Sequence, residues 1–111
     1  MSEEQARRVG LNESLFRQVN EQIESLNKGF GTELGTMTVI CECADGECTD
    51  RVEIAISEYE KVRADPLRYI VVPGHELPDF EAVVDSGAGY DIVQKRPGEA
   101  AKLAKETDPR S

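Results

Sequence analysis

Three cysteines fall within eight residues, Cys41, Cys43 and Cys48, as C-x-C-x4-C in the segment VICECADGEC, and the chain has no others. Thiols this close constrain the backbone, because a single loop must deliver them to whatever they bind together. The chain holds one histidine, His75. Together the four residues read as the donors of a tetrahedral metal site, with His75 as the fourth ligand. Soft thiolates and an imidazole select zinc, or iron in an iron–sulfur cluster, over magnesium or calcium. Zinc is the first choice. Glu47, Asp50 and Glu76 are fallback oxygen ligands and otherwise belong to an acidic surface. A Cys41–Cys48 disulfide with Cys43 left over is the alternative, and it suits an oxidising compartment.

The runs on either side of the cysteine loop have strand character. Met37 to Cys41 is rich in β-formers, and Arg51 to Ile56 alternates, with Val52, Ile54 and Ile56 on one face. Joined as a hairpin, they place the metal at its tip. Upstream, Leu11, Leu15, Val19, Ile23, Leu26 and Phe30 step by three or four, the stripe of an amphipathic helix capped by Asn12 or Ser14 and stopped at Gly29 and Gly31. The stripe predicts core packing against a sheet, with a helical dimer seam as the second reading. Downstream, Ser57 to Glu60 has the S-x-x-E form of a capping box that opens a helix ending before Pro66. Arg68 to Val72 reads as a strand delivering His75 through the Pro73-Gly74 turn. Asp79 to Val84 reads as a short helix, Tyr90 to Lys95 as a strand, and Gly98 to Lys105 as a last helix.

Strands interleaved with helices over 111 residues predict an α+β fold: a three- to four-stranded, mainly antiparallel sheet with an N-terminal amphipathic helix and short helices on one face. Residues 1–10 are read as a frayed N-terminus, 11–106 as a single domain carrying the metal-binding hairpin loop, and 107–111 as a tail.

Charge narrows the function. Twenty-two acidic against 13 basic residues leave a net charge of −9, a field that repels phosphate backbones. Aromatics make up only 5% of the chain, too few for base-stacking platforms. No nucleic-acid partner is expected. No stretch approaches the roughly 18 apolar residues of a membrane span, and MSEEQARRVG lacks the apolar centre of a signal peptide. The expected setting is cytoplasmic, without membrane association.

In using three cysteines and one histidine the chain resembles iron–sulfur proteins of the CDGSH type, although those hold their ligands in one short continuous loop. The phrases CECADGEC, ISEYEKVRADP and VVPGHE, with GEAAK near the end, resemble a family of small actinobacterial-type proteins. That resemblance covers about two-thirds of the chain and implies no activity. The residues themselves supply no nucleophile with a dedicated base and no phosphate loop. Gly29-Phe30-Gly31 follows a helix, and Ser86-Gly87-Ala88-Gly89 reads as a turn. The expectation is a non-enzymatic, metal-stabilised interaction or regulatory module whose partner is another protein or a second copy. The alternative is a thiol-based redox or metal sensor, or an iron–sulfur protein.

Overall fold

Alternation in the sequence becomes a hairpin in the structure. The computed structural model describes residues 3–29 and 35–110. β1 (Thr36–Ile40) pairs antiparallel with β2 (Arg51–Ala55), setting Met37 opposite Ile54 and Val39 opposite Val52. All four of these side chains are buried. The chain passes from β2 directly into α2 (Ile56–Arg63), then through β3 (Arg68–Val71), β4 (Glu81–Gly87) and β5 (Tyr90–Lys95) to α3 (Glu99–Glu106). The fold is α+β. Its strands form two antiparallel sheets, β1-β2 and β3-β5-β4. No helix among the described residues is long and apolar enough to cross a membrane.

Two local expectations change. α2 begins at Ile56 with Ala55 at its N-cap and no side-chain cap, because Ile56 N–H is taken by the Gly35 carbonyl at 3.0 Å. Ser57 therefore sits inside the helix and closes no capping box. The segment read as a helix at Asp79 to Val84 is largely strand: Glu81 to Gly87 pairs with β5 across a turn at Gly89, whose φ of +86° suits glycine. This hairpin gives the backbone a ladder of partners and gives the β-branched Val83 and Val84 their preferred conformation. A β-bulge between Val83 and Asp85 shifts the register along β4.

The N-terminal helix, α1 (Glu3–Gly29), differs most. It takes in residues 3–10, read from sequence as frayed. Glu3 and Glu4 suit the positive end of its dipole, and Gly10 lets α3 approach: a Cβ there would meet Leu103 at 3.0 Å. Its orientation is the reverse of the core-packing expectation. Leu11, Leu15, Val19 and Leu26 are 45%, 59%, 37% and 64% exposed, while Glu13, Ser14, Arg17, Asn20 and Glu24 on the opposite face are buried. Only Ile23 of the described stripe packs against the main core. Phe30 and Gly31 lie outside the described residues.

Directional bonds fix this rotation. Arg17 donates to the carbonyls of Pro66 at 2.7 Å and Ala104 at 2.8 Å, and its guanidinium lies 4.9 Å from the Tyr69 ring centroid. Glu13 pairs with Lys95, which also pairs with Glu81. Burial raises the Glu13 carboxyl well above the usual carboxylate range, with nearby Lys95 opposing that shift. Residues 107–110, read as a tail, are anchored as well. Thr107 meets Ser14 at 2.7 Å, and Arg110 bridges Glu21, Glu24 and Glu60.

Candidate metal centre

The cysteine loop is shaped by its own backbone before any ion is considered. Cys41 N–H bonds to the Asp50 carbonyl at 2.9 Å, carrying the hairpin ladder one step past β1 and β2. Asp45-Gly46 then turns the chain: Cys48 N–H reaches the Asp45 carbonyl at 3.0 Å, and Glu47 N–H reaches the Asp45 carboxylate at 2.9 Å, a side-chain turn of the kind aspartate favours. Cys48 is thereby folded back toward Cys41 and Cys43. From α1, Asn12 donates to the Ala44 carbonyl at 2.8 Å and holds the loop down.

His75 is brought to the loop from β3. β3 does not pair with β2; its outer edge instead receives the cysteine segment, with Glu42 N–H bonded to the Ile70 carbonyl at 2.7 Å and Val72 N–H directed at Cys41 Sγ at 3.3 Å. His75 follows in a turn closed by its N–H to the Val72 carbonyl at 2.9 Å. Its Nδ1 lies 3.5 Å from Cys41 Sγ and 3.7 Å from Cys48 Sγ.

The four donor atoms of Cys41, Cys43, Cys48 and His75 lie within 4.8 Å of one another, a group able to hold a metal ion. A tetrahedron with Zn–S near 2.3 Å and Zn–N near 2.0–2.1 Å has a sulfur–nitrogen edge of about 3.6 Å. The two sulfur–nitrogen distances bracket that edge. All three cysteines are free thiols, so the disulfide alternative is not adopted. Chain for chain, the protein matches no family model, no curated protein and no solved structure.

Around the donors, Asp50 takes a different place from the ligand role open to it in sequence. Its carboxylate approaches His75 Nε2 at 3.5 Å, on the ring edge away from the thiols, where a carboxylate orients a ligating imidazole. Glu47 and Glu76 are not members of the donor group. Burial pushes the thiols of Cys41 and Cys43 above their ordinary range, while the Val72 N–H pulls Cys41 back down. Metal binding must displace those protons. Cys48 is half-buried, and a cleft of about 200 Å³ lined by Cys43, Ala44, Asp45, His75 and Leu77 opens beside the group.

Sequence reasoning missed Glu42. In an extended C-x-C segment the middle side chain points away from its neighbours, so Glu42 faces inward while the cysteines converge. Its carboxylate, fully buried, accepts from Arg63 at 2.8 Å, Asn20 at 2.7 Å and Ile70 N–H at 3.0 Å. One residue thus ties α1, α2 and β3 to the backbone that carries two of the donors. Burial opposes the charge on Arg63, but Glu42 and its neighbours more than offset that penalty, so the Arg63 pKa is raised. The available signal was the placement of an acidic residue between two cysteines.

Proposed function

We propose that this chain is a non-enzymatic, metal-stabilised cytoplasmic protein, with zinc as its ion, acting as a protein-interaction or regulatory module. The observation that carries the reading is the convergence of four protein donors within 4.8 Å of one another, with two sulfur–nitrogen distances close to the edge of a zinc tetrahedron, from a loop of one sheet and a turn following a strand of the other. An ion on these donors ties the two sheets together at a point where the backbone otherwise relies on the Glu42–Ile70 bond. A catalytic zinc generally has three protein ligands and an open position; four protein donors favour a closed structural site. Cluster ligands are divided among several irons, so a group this tight favours one ion. Arg63, around which a basic face with Arg51, Lys61 and Arg68 would be built, is buried against Glu42, which supports a surface without affinity for nucleic acid.

The test is metal analysis of purified protein together with single substitutions. One zinc per chain is expected, lost in Cys41→Ser, Cys43→Ser and Cys48→Ser with a fall in stability of several kcal/mol, against roughly 10–16 kcal/mol for structural zinc in small peptides. Unchanged melting temperatures in all three variants would sink the proposal. The half-buried Cys48, in a donor group that a cleft reaches at Cys43 and His75, favours a second reading, a redox sensor. Peroxide would oxidise the metal-bound thiolates of Cys48 and Cys41 to a disulfide, the two sulfurs giving up two electrons to the peroxide, which takes two protons from solvent and becomes two waters, with release of the ion. Reversible zinc loss under mild peroxide distinguishes this sensor from a constitutive site.

A further inference from the structure

We infer that the outward face of α1 docks against the same face of a second copy of this chain, antiparallel and two-fold symmetric. This names the partner in the interaction reading above. The exposed residues of α1 from Leu11 through Leu26 are Leu11, Leu15, Gln18, Val19, Gln22, Ser25 and Leu26, and none is charged. The chain as a whole is 32% charged with a net charge of −9. A face kept free of charge on so acidic a protein lets two copies meet without like-charge contact at the seam, whereas a face for a basic partner would carry carboxylates. The ridge spans about 22 Å at 1.5 Å per residue.

Self-pairing also follows from its layout. A two-fold axis between Gln18 and Val19 overlays the ridge on itself end to end, setting Leu11 against the partner's Leu26 and Leu15 against the partner's Gln22. Antiparallel helices also bring opposite dipole ends together. The inward bonds of Asn12, Arg17 and Asn20 hold α1 at the rotation that keeps this ridge outside. Exposed leucines in such a row are otherwise an aggregation hazard, and burial between two copies removes it.

The experiment is light scattering and sedimentation over a concentration series, with circular dichroism and metal content measured on every variant. The wild type should dimerise, and Leu15→Glu should be a folded monomer with unchanged metal content, since Leu15 contacts solvent. Leu11→Lys should also be monomeric. Adding Leu26→Glu on the same chain should restore the dimer, because two-fold antiparallel pairing brings each introduced lysine to the introduced glutamate of the other copy. A wild type that stays monomeric up to its solubility limit overturns the proposal and leaves the ridge to a different chain. A dimer that survives Leu15→Glu overturns it too, and a double variant no better than Leu11→Lys overturns the antiparallel register. Absence of bound zinc would defeat the metal reading without touching these outcomes.

Discussion

Asn20→Ala is expected to cost far more stability than Leu15→Ala, the reverse of what an apolar stripe on a helix ordinarily implies. Asn20 is fully buried. Its amide nitrogen donates to the Ile40 carbonyl at 2.9 Å and to Glu42 at 2.7 Å, and its oxygen accepts from Ile40 N–H at 2.9 Å. Alanine removes all three bonds. The bond to the buried Glu42 carboxylate is the strongest, and the two part-buried backbone groups add to the loss. With about 1.5–3 kcal/mol for a bond to a charged group and about 0.5–1.5 kcal/mol for each neutral one, the total is about 2.5–6 kcal/mol. Leu15, 59% exposed, leaves no cavity when truncated, and Leu15→Ala should stay within about 0.5 kcal/mol. The assay is urea unfolding of zinc-loaded protein followed by circular dichroism, dilute enough that the chain is monomeric. If Leu15→Ala cost 2–5 kcal/mol, as buried leucine truncations roughly do, and Asn20→Ala cost almost nothing, the inward polar face would be refuted.

Other perturbations follow from the same geometry. His75→Ala should lower zinc affinity and leave the three thiols able to hold the ion weakly; a zinc titration showing full retention would return His75 to an ordinary turn residue. Because buried Cys41 and Cys43 must release protons on binding, apparent zinc affinity should fall as pH drops, which competition with a chelator at several pH values can read. The raised carboxyl of Glu13 means the folded chain holds a proton that the unfolded chain releases. Stability from this group is therefore present below the ordinary glutamate pKa and lost as pH rises through the folded value. Glu13→Gln should flatten that slope and raise stability at the upper end of the range; an unchanged pH profile of unfolding would count against a protonated Glu13. Gly10→Val should destabilise, since its Cβ would press on Leu103 at 3.0 Å and force α1 from α3; a wild-type melting temperature would show that the two helices yield easily.

The sequence alone was enough to mark the four residues that converge, the cysteine-loop hairpin and the helical period of α1, because each rests on local chemistry: residue types, alternation at two residues, recurrence at three or four. It also carried the antiparallel α+β character and the strand at Tyr90 to Lys95. It misjudged Glu81 to Gly87, where β5 supplied backbone partners that no local signal announces. The inward face of α1 was decided by tertiary structure. Glu13, Arg17, Asn20 and Glu24 recur with the same spacing as the leucines, so periodicity identifies two faces and is silent on which is buried. That choice was made by partners far away in the chain, the carbonyls of Ile40, Pro66 and Ala104 and the charges of Glu42 and Lys95. The arrival of His75 was settled in the same way, by Glu42 bonding to Ile70 across two sheets, because a long-range approach depends on which strand edge is left open and on what can satisfy it.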